Sequence, residues 1–195
     1  MLNHKGSLLV CIDTETTGTD VELDEVWQVA MIPLNDNLDP VEHLAVQWLI
    51  KPEVNITSPY AAKASIHGLT QDQAMDAFED WVERLNFSAE WSRILPVGHN
   101  YKDFDRPMLE KLYGSATYGL HFHGFCRDTM DYAHFINDRC ELRGHKPLFP
   151  DVKLSSLAKA LDIPYDQASL HDALYDTLLT AKIYKKLCWL DLTAV

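Results

Sequence analysis

Two acidic residues stand one position apart at the end of an apolar run: Asp13 and Glu15, in Cys-Ile-Asp-Thr-Glu-Thr-Thr-Gly. Alternate residues of an extended backbone point to the same side. If this segment is a strand, both carboxylates aim at one place, which is how a protein offers oxygen ligands to a hard cation such as Mg²⁺. The same pair reads equally well as two solvated acids at a strand end, because short motifs have a high false-positive rate.

The rest of the chain supplies elements that could hold such a pair. Ser7 to Asp13 reads as a buried strand, with Val26 to Leu34 and Leu44 to Ile50 as two more around the turn-rich Asn35-to-Pro40 segment. These three form an expected antiparallel meander. Asp72 to Asn86 reads as a helix with Ala74, Phe78, Trp81, Val82 and Leu85 as its apolar stripe. Ile94 to Gly98 is a short strand, and Asp105 to Tyr113 a helix that tolerates Pro107 in its first turn. Helices are expected at Thr129 to Asn137 and Leu154 to Leu161, with a Gly- and Pro-containing loop at Asp138 to Asp151. A last helix, Ala173 to Leu187, carries Leu174, Leu178, Ala181 and Leu187 at helical spacing. Strands followed by alternating helix and strand give an α/β domain with a mixed sheet.

Composition narrows the class. A chain of 195 residues, 47% hydrophobic and 24% charged, is sized for one globular domain over residues 1–195. The run Leu8 to Ile12 is far too short to span a bilayer, so no membrane partner is expected and a cytosolic (cytoplasmic) location follows as the default. Cys11, Cys126, Cys140 and Cys188 form no Cys-x-x-Cys pair, so reduced thiols are expected rather than zinc or disulfides. The net charge of −12 opposes tight, non-specific duplex binding, since phosphate contacts call for basic residues. Bound divalent cations would offset this where a phosphate lies. A short grip on a strand end, or help from a basic partner, fits the charge better.

Further along, four elements occur in a particular order. Asp13-Thr14-Glu15-Thr16-Thr17-Gly18 is followed by Ile66-His67-Gly68-Leu69-Thr70, then Gly98-His99-Asn100-Tyr101-Lys102-Asp103-Phe104-Asp105, then His171-Asp172-Ala173-Leu174-Tyr175-Asp176. The set resembles the motifs of the DEDDh 3′→5′ exonucleases, the ribonuclease H-like family typified by the proofreading epsilon subunit of bacterial DNA polymerase III. It spans most of the chain, and the ordered set is far more specific than any one motif. The resemblance implies a ribonuclease H-like fold, with an antiparallel meander plus parallel strands in a mixed central sheet flanked by helices. In the second motif the family has Phe or Tyr directly before the metal-binding Asp, with a helix starting there. Phe104-Asp105 meets both conditions, so Asp105 is preferred over Asp103, a surface acid or helix cap.

The resemblance further implies Asp13, Glu15, Asp105 and Asp176 as ligands of two Mg²⁺ (or Mn²⁺) ions, with Asp13 bridging and Asp105 on the second ion. His171 is implied as general base. Five residues separate His171 from Asp176, which would turn them apart on one continuous helix. The arrangement works with His171 on the loop before the helix and Asp176 one turn inside. Thr14, Thr16 and Thr17 are expected at the terminal nucleotide, with His67 and Phe104 packing on its sugar or base. Asp172 is expected to be a solvated neighbour.

The implied reaction is hydrolysis of phosphodiester bonds at nucleic acid 3′ ends, in single-stranded or frayed DNA, releasing nucleoside 5′-monophosphates. RNA or short-oligonucleotide trimming uses the same residues and stays open, as does a non-catalytic polymerase-accessory module on this fold. A DNA polymerase or another protein is an open partner. The stretch Arg139 to Lys159, with five basic and two acidic residues, could equally track a strand or be a solvated loop.

Overall fold

The computed structural model describes residues 6–54, 61–86 and 93–190. Met1 to Lys5, and the other stretches between these ranges, lie outside the described residues. Strand β1 (Leu8–Thr16) is the centre of a five-stranded sheet. It pairs antiparallel with β2 (Val26–Pro33), which pairs antiparallel with β3 (Val46–Leu49). On its other edge β1 pairs parallel with β4 (Ile94–Gly98), and β4 with the two-residue β5 (Arg127–Asp128). The order is therefore β3-β2-β1-β4-β5, the expected meander plus parallel strands. The third strand is shorter than expected because Glu42–Leu44 wind into a 3₁₀ turn, whose Leu44 carbonyl accepts the Trp81 indole N–H at 2.8 Å.

Seven helices flank the sheet among the described residues: α1 (Ala62–His67), α2 (Gln71–Arg84), α3 (Asp105–Tyr113), α4 (Ser115–His121), α5 (Thr129–Leu142), α6 (Leu154–Ala160) and α7 (Ala173–Trp189). Strand alternation divides the core. Leu8, Val10 and Ile12 face one side, with Ala74, Phe78 and Trp81 of α2, Met108 and Leu109 of α3, and Tyr118 of α4. A stacked aromatic series links these helices, with ring centroids 4.6 Å apart for Phe78–Tyr113 and 4.5 Å for Tyr118–Phe122. Leu9 and Cys11 face the other side, against Ala181 and Tyr184 of α7.

Helix α2 starts one residue before the expected Asp72, because Thr70 and Gln73 form a reciprocal capping box. Helix α5 runs five residues beyond the expected Asn137. Ile136 and Cys140, one turn apart, are both buried in a common cluster with Leu157 and Ile183, so the helix continues through Asp138 to Leu142. It ends at Gly144, whose φ of 79° is readily adopted only by glycine. The loop that follows folds back: the Asn137 side chain donates to the Phe149 carbonyl and accepts the Phe149 N–H, each at 2.9 Å. In α7 half of the expected face is buried, at Ala181 and Leu187. Leu174 and Leu178 are only half-buried, whereas Ala173, Thr177 and Thr180 are buried. Small residues let the helix axis approach β1 and β2 closely, and Asp176 lies among these buried positions.

Candidate active site

Asp13 and Glu15 continue the β1 face that carries Leu9 and Cys11, so strand periodicity alone directs them toward α7. Asp176, on the first turn of α7, is 8% exposed. Its Oδ2 accepts the His171 backbone N–H at 3.0 Å, while its Oδ1 is buried with no hydrogen-bond partner. His171 sits on the preceding loop with φ of 70°, in the left-handed region. Non-glycine residues held there cluster at functional sites. This turn brings the imidazole back to the helix it precedes. Ligand atoms of Glu15, His171 and Asp176 all lie within 4.8 Å of one another.

Asp105 enters from the other side of the sheet as the first residue of α3, 2% exposed. Its Oδ1 accepts both the backbone N–H of Thr14 at 2.9 Å and the Thr14 hydroxyl at 2.7 Å. Thr14, between Asp13 and Glu15, faces α3 while they face α7, so three consecutive residues of β1 serve both halves of the site. The preceding loop turns at Asn100, with φ of 64°, whose N–H donates to Asp128. Asp103 is exposed, and the helix cap position belongs to Phe104.

The electrostatics follow from this crowding. Burial, then the neighbouring Asp105, Glu15, Asp176 and Asp172, hold the Asp13 carboxyl well above the usual range. Burial with Asp176 and Asp172 pushes Glu15 up to about 7. Asp105 is also pushed up to about 7, burial outweighing the two Thr14 hydrogen bonds that pull it down. Burial raises Asp176 despite the opposing effect of His171. Four carboxyls that resist ionisation, one with an unpartnered buried oxygen, are a donor set suited to hard divalent cations. The residues fit such ions.

The remaining expected substrate contacts are placed as follows. The Thr16 hydroxyl donates to the Gly18 carbonyl at 2.5 Å. The Thr17 hydroxyl donates to Asp24 Oδ1 at 2.9 Å and accepts the Glu25 N–H at 3.0 Å. Both hydroxyls thus shape the loop after β1. His67 is exposed at the end of α1. Gly68 beside it is pressed on the chain leaving β3; an added Cβ there would come within 2.6 Å of the Lys51 nitrogen. Phe104 is half-buried, packed at the margin of the core.

The exonuclease family model of the ribonuclease T type matches residues 10–184. The chain belongs to that family. A PolC-type DNA polymerase III of Mycoplasma pneumoniae is 28% identical over 181 residues, covering 92% of this chain and 11% of the polymerase. The chain thus spans about a tenth of that relative's length. Ribonuclease T of Vibrio cholerae is 27% identical, covering 92% of this chain and 81% of its own. Among solved structures, E. coli exonuclease I in complex with a dT13 oligonucleotide superposes with a TM-score of 0.64 at 22% identity, over 92% of this chain and 40% of that one. The family match bears out the resemblance to DEDD-type 3′→5′ exonucleases, and the fold is ribonuclease H-like, as the ordered motifs imply.

Within this exonuclease fold, Gln28 and Gln47 were not singled out from the sequence, and Asp172 was expected only to be a solvated neighbour. Asp172 caps α7, its Oδ1 accepting the Tyr175 N–H at 3.1 Å. Exposed though it is, it is not merely solvated. Its Oδ2 accepts from the Gln28 amide at 3.2 Å, and Gln47 donates to both oxygens at 3.3 Å. Gln28 is 4% exposed and opposes Glu15 across the β1–β2 ladder; its Oε1 accepts the Ala173 N–H at 3.3 Å. Two strands thereby clamp the helix start that carries His171 and Asp176. The available signals were an Asp directly before a helix and a lone amide inside the apolar run Val26 to Leu34.

Proposed function

We propose that the protein is a 3′→5′ exonuclease, a single domain acting in the cytoplasm, that removes nucleoside 5′-monophosphates from the 3′ end of single-stranded or frayed DNA. The observation that carries this reading is the convergence of Glu15, His171 and Asp176 from two elements beside Asp13, with Asp105 anchored across β1 by Thr14. Asp13, Glu15, Asp105 and Asp176 would hold two Mg²⁺ (or Mn²⁺) ions, which supply charge neutralisation at the phosphate and activation of water. His171, fixed by the turn that ties its N–H to Asp176, accepts the proton from the attacking water. As the water oxygen bonds to phosphorus the P–O3′ bond breaks, releasing the nucleoside 5′-monophosphate, and the departing O3′ takes a proton from solvent to become the 3′-hydroxyl of the shortened strand. General-base help of this kind is typically worth ~10²–10⁴-fold. The loop shaped by Thr16 and Thr17, with His67 and Phe104, receives the terminal nucleotide, and aromatic contact there tolerates any base. A polymerase partner is consistent with the PolC-type relatives, in which the matching segment is a small part of a larger protein.

One observation favours an RNA reading. The ribonuclease T relatives match over most of both chains, whereas the polymerases match over a small part of theirs. Matched DNA and RNA oligomers, 5′-labelled and incubated with Mg²⁺, Mn²⁺ or EDTA, separate the two. The expected result is a metal-dependent ladder shortening from the 3′ end, abolished in Asp13→Ala and reduced at least a hundredfold in His171→Ala. Full-length DNA and RNA in every lane would overturn the enzymatic reading.

A further inference from the structure

Of the metal-ligand candidates, Asp105 is the one that stands on the first turn of α3. Next in sequence to Asp105, Arg106 reaches away from the site. Its Nε donates to Glu110 at 2.8 Å, one amino group donates to the Gly124 carbonyl at 3.2 Å, and the guanidinium lies 5.7 Å over the Tyr118 ring. Tyr101, Lys102, Arg106, Tyr118, His123, Phe125 and the acidic Asp131 line a pocket of about 280 Å³ here. Its floor is rigid, since the buried Tyr101 and Tyr118 join hydroxyls at 2.8 Å.

The wall is a bulge in the chain entering β5. Phe122 pairs with Ile94 and Arg127 with Val97, so the intervening residues loop outward. Phe125 stands on that loop, 73% exposed. Its N–H donates to His123 Nδ1 at 3.1 Å, and the two rings sit 5.3 Å apart at 32°. The ring is therefore held in place without being covered. An isolated exposed aromatic is ordinary. This one stands beside Lys102 and Arg106, in a chain of net charge −12, at the shoulder of a phosphate-handling site.

We propose that this pocket is a subsite for the substrate strand on the 5′ side of the scissile bond, with a base stacking on Phe125 and a phosphate facing Lys102 and Arg106. The inference rests on the exonuclease reading above. The terminal nucleotide is assigned to the loop after β1 and to α1, on the β2–β3 side of the sheet. The pocket adjoins Asp105, which Arg106 follows in α3, and Arg127 of β5 lines it too, so a strand that passes Asp105 away from the β2–β3 side meets it. Nucleic acid fits better than an apolar partner because cations and an open ring face together match any single strand.

The test uses oligothymidylates and matched oligouridylates of two to eight nucleotides, bound in Mg²⁺ to Asp13→Asn protein and followed by fluorescence anisotropy. The same length series is run for KM with the active protein. Affinity is expected to rise with length, and Phe125→Ala to remove about tenfold of that gain while Phe125→Trp keeps it. Lys102→Ala is expected to flatten the salt dependence by ~0.7 in log–log slope, the worth of about one phosphate contact. Trp189→Ala, an equally exposed ring at the far end of α7, serves as control and is expected to match its parent. If folded Phe125→Ala protein binds and digests octamers as well as its parent, or if no oligomer binds at all, the subsite is overturned. Phe125-dependent binding without hydrolysis by the wild type would overturn the exonuclease reading and leave the subsite standing.

Discussion

Glu15 and Asp105 keep their protons up to about pH 7 in the fold, whereas such side chains titrate near ~4 when the chain is unfolded. Between those values the native state binds more protons than the unfolded one, so stability falls as pH rises. Their contribution is fully present below about pH 4 and is lost once pH passes about 7. In EDTA the protein is therefore expected to melt at a higher temperature at pH 5 than at pH 8. Mg²⁺ is expected to reverse that loss at pH 8 and to do little at pH 5. Scanning calorimetry checks this; a melting temperature indifferent to both pH and Mg²⁺ would contradict a carboxylate cluster built for cations. At this scale the sequence revealed much of the candidate site. Asp13 and Glu15 were legible from strand periodicity, and Asp105, His171 and Asp176 from motif order. The double hydrogen bond from Thr14 to Asp105 was not, because it joins residues 91 apart across a sheet edge. The left-handed turn at His171 was also hidden, since histidine seldom announces a positive φ.

The helix that delivers Asp176 is fastened at its first turn, by Asp172 from within and by Gln28 and Gln47 from two strands. Asp172→Ala removes an N-cap, expected to cost about 1 kcal/mol, which is ~2–4 °C of melting temperature for a chain of this size. Gln28→Leu leaves the Ala173 N–H without its buried acceptor, and a further ~1–3 kcal/mol is expected. Because both changes loosen His171 and Asp176 rather than the substrate loop, kcat is expected to fall with KM little altered. Steady-state kinetics beside thermal melts decide this, and a change confined to KM would contradict it. Long elements with strong periodicity, such as α2 and β2, were readable from the chain. The short ones were not. Helix α4 carries Gly119 and begins directly after Gly114, and β5 is two residues long, so neither has a period to detect. Helix α5 outran its expected end because Ile136 and Cys140 are buried by α6 and α7, partners that a local reading does not see.

At the level of the whole molecule, the meander of β1, β2 and β3 was legible, but the edge at which β4 joins it was not. Nothing local says that β1 sits between β2 and β4, yet that placement puts the two acids of one strand at the centre of the sheet. The net charge of −12 gives the molecule little hold on the interior of a nucleic acid. A circular single strand is expected to survive conditions that fully degrade its linear form, as gel electrophoresis would show; nicked circles would mean an internal cut instead. The burial of β1 also has a consequence for probing the protein in solution. Cys188 lies exposed on α7, Cys126 is half-buried, and Cys11 and Cys140 are buried. Burial further raises the Cys11 thiol, suppressing its thiolate. An alkylating reagent will therefore reach Cys188 early and Cys11 only when the middle of the sheet separates. Since Cys11 precedes Asp13 by two residues on the same face, its alkylation rate times how often the strand that carries Asp13 comes apart.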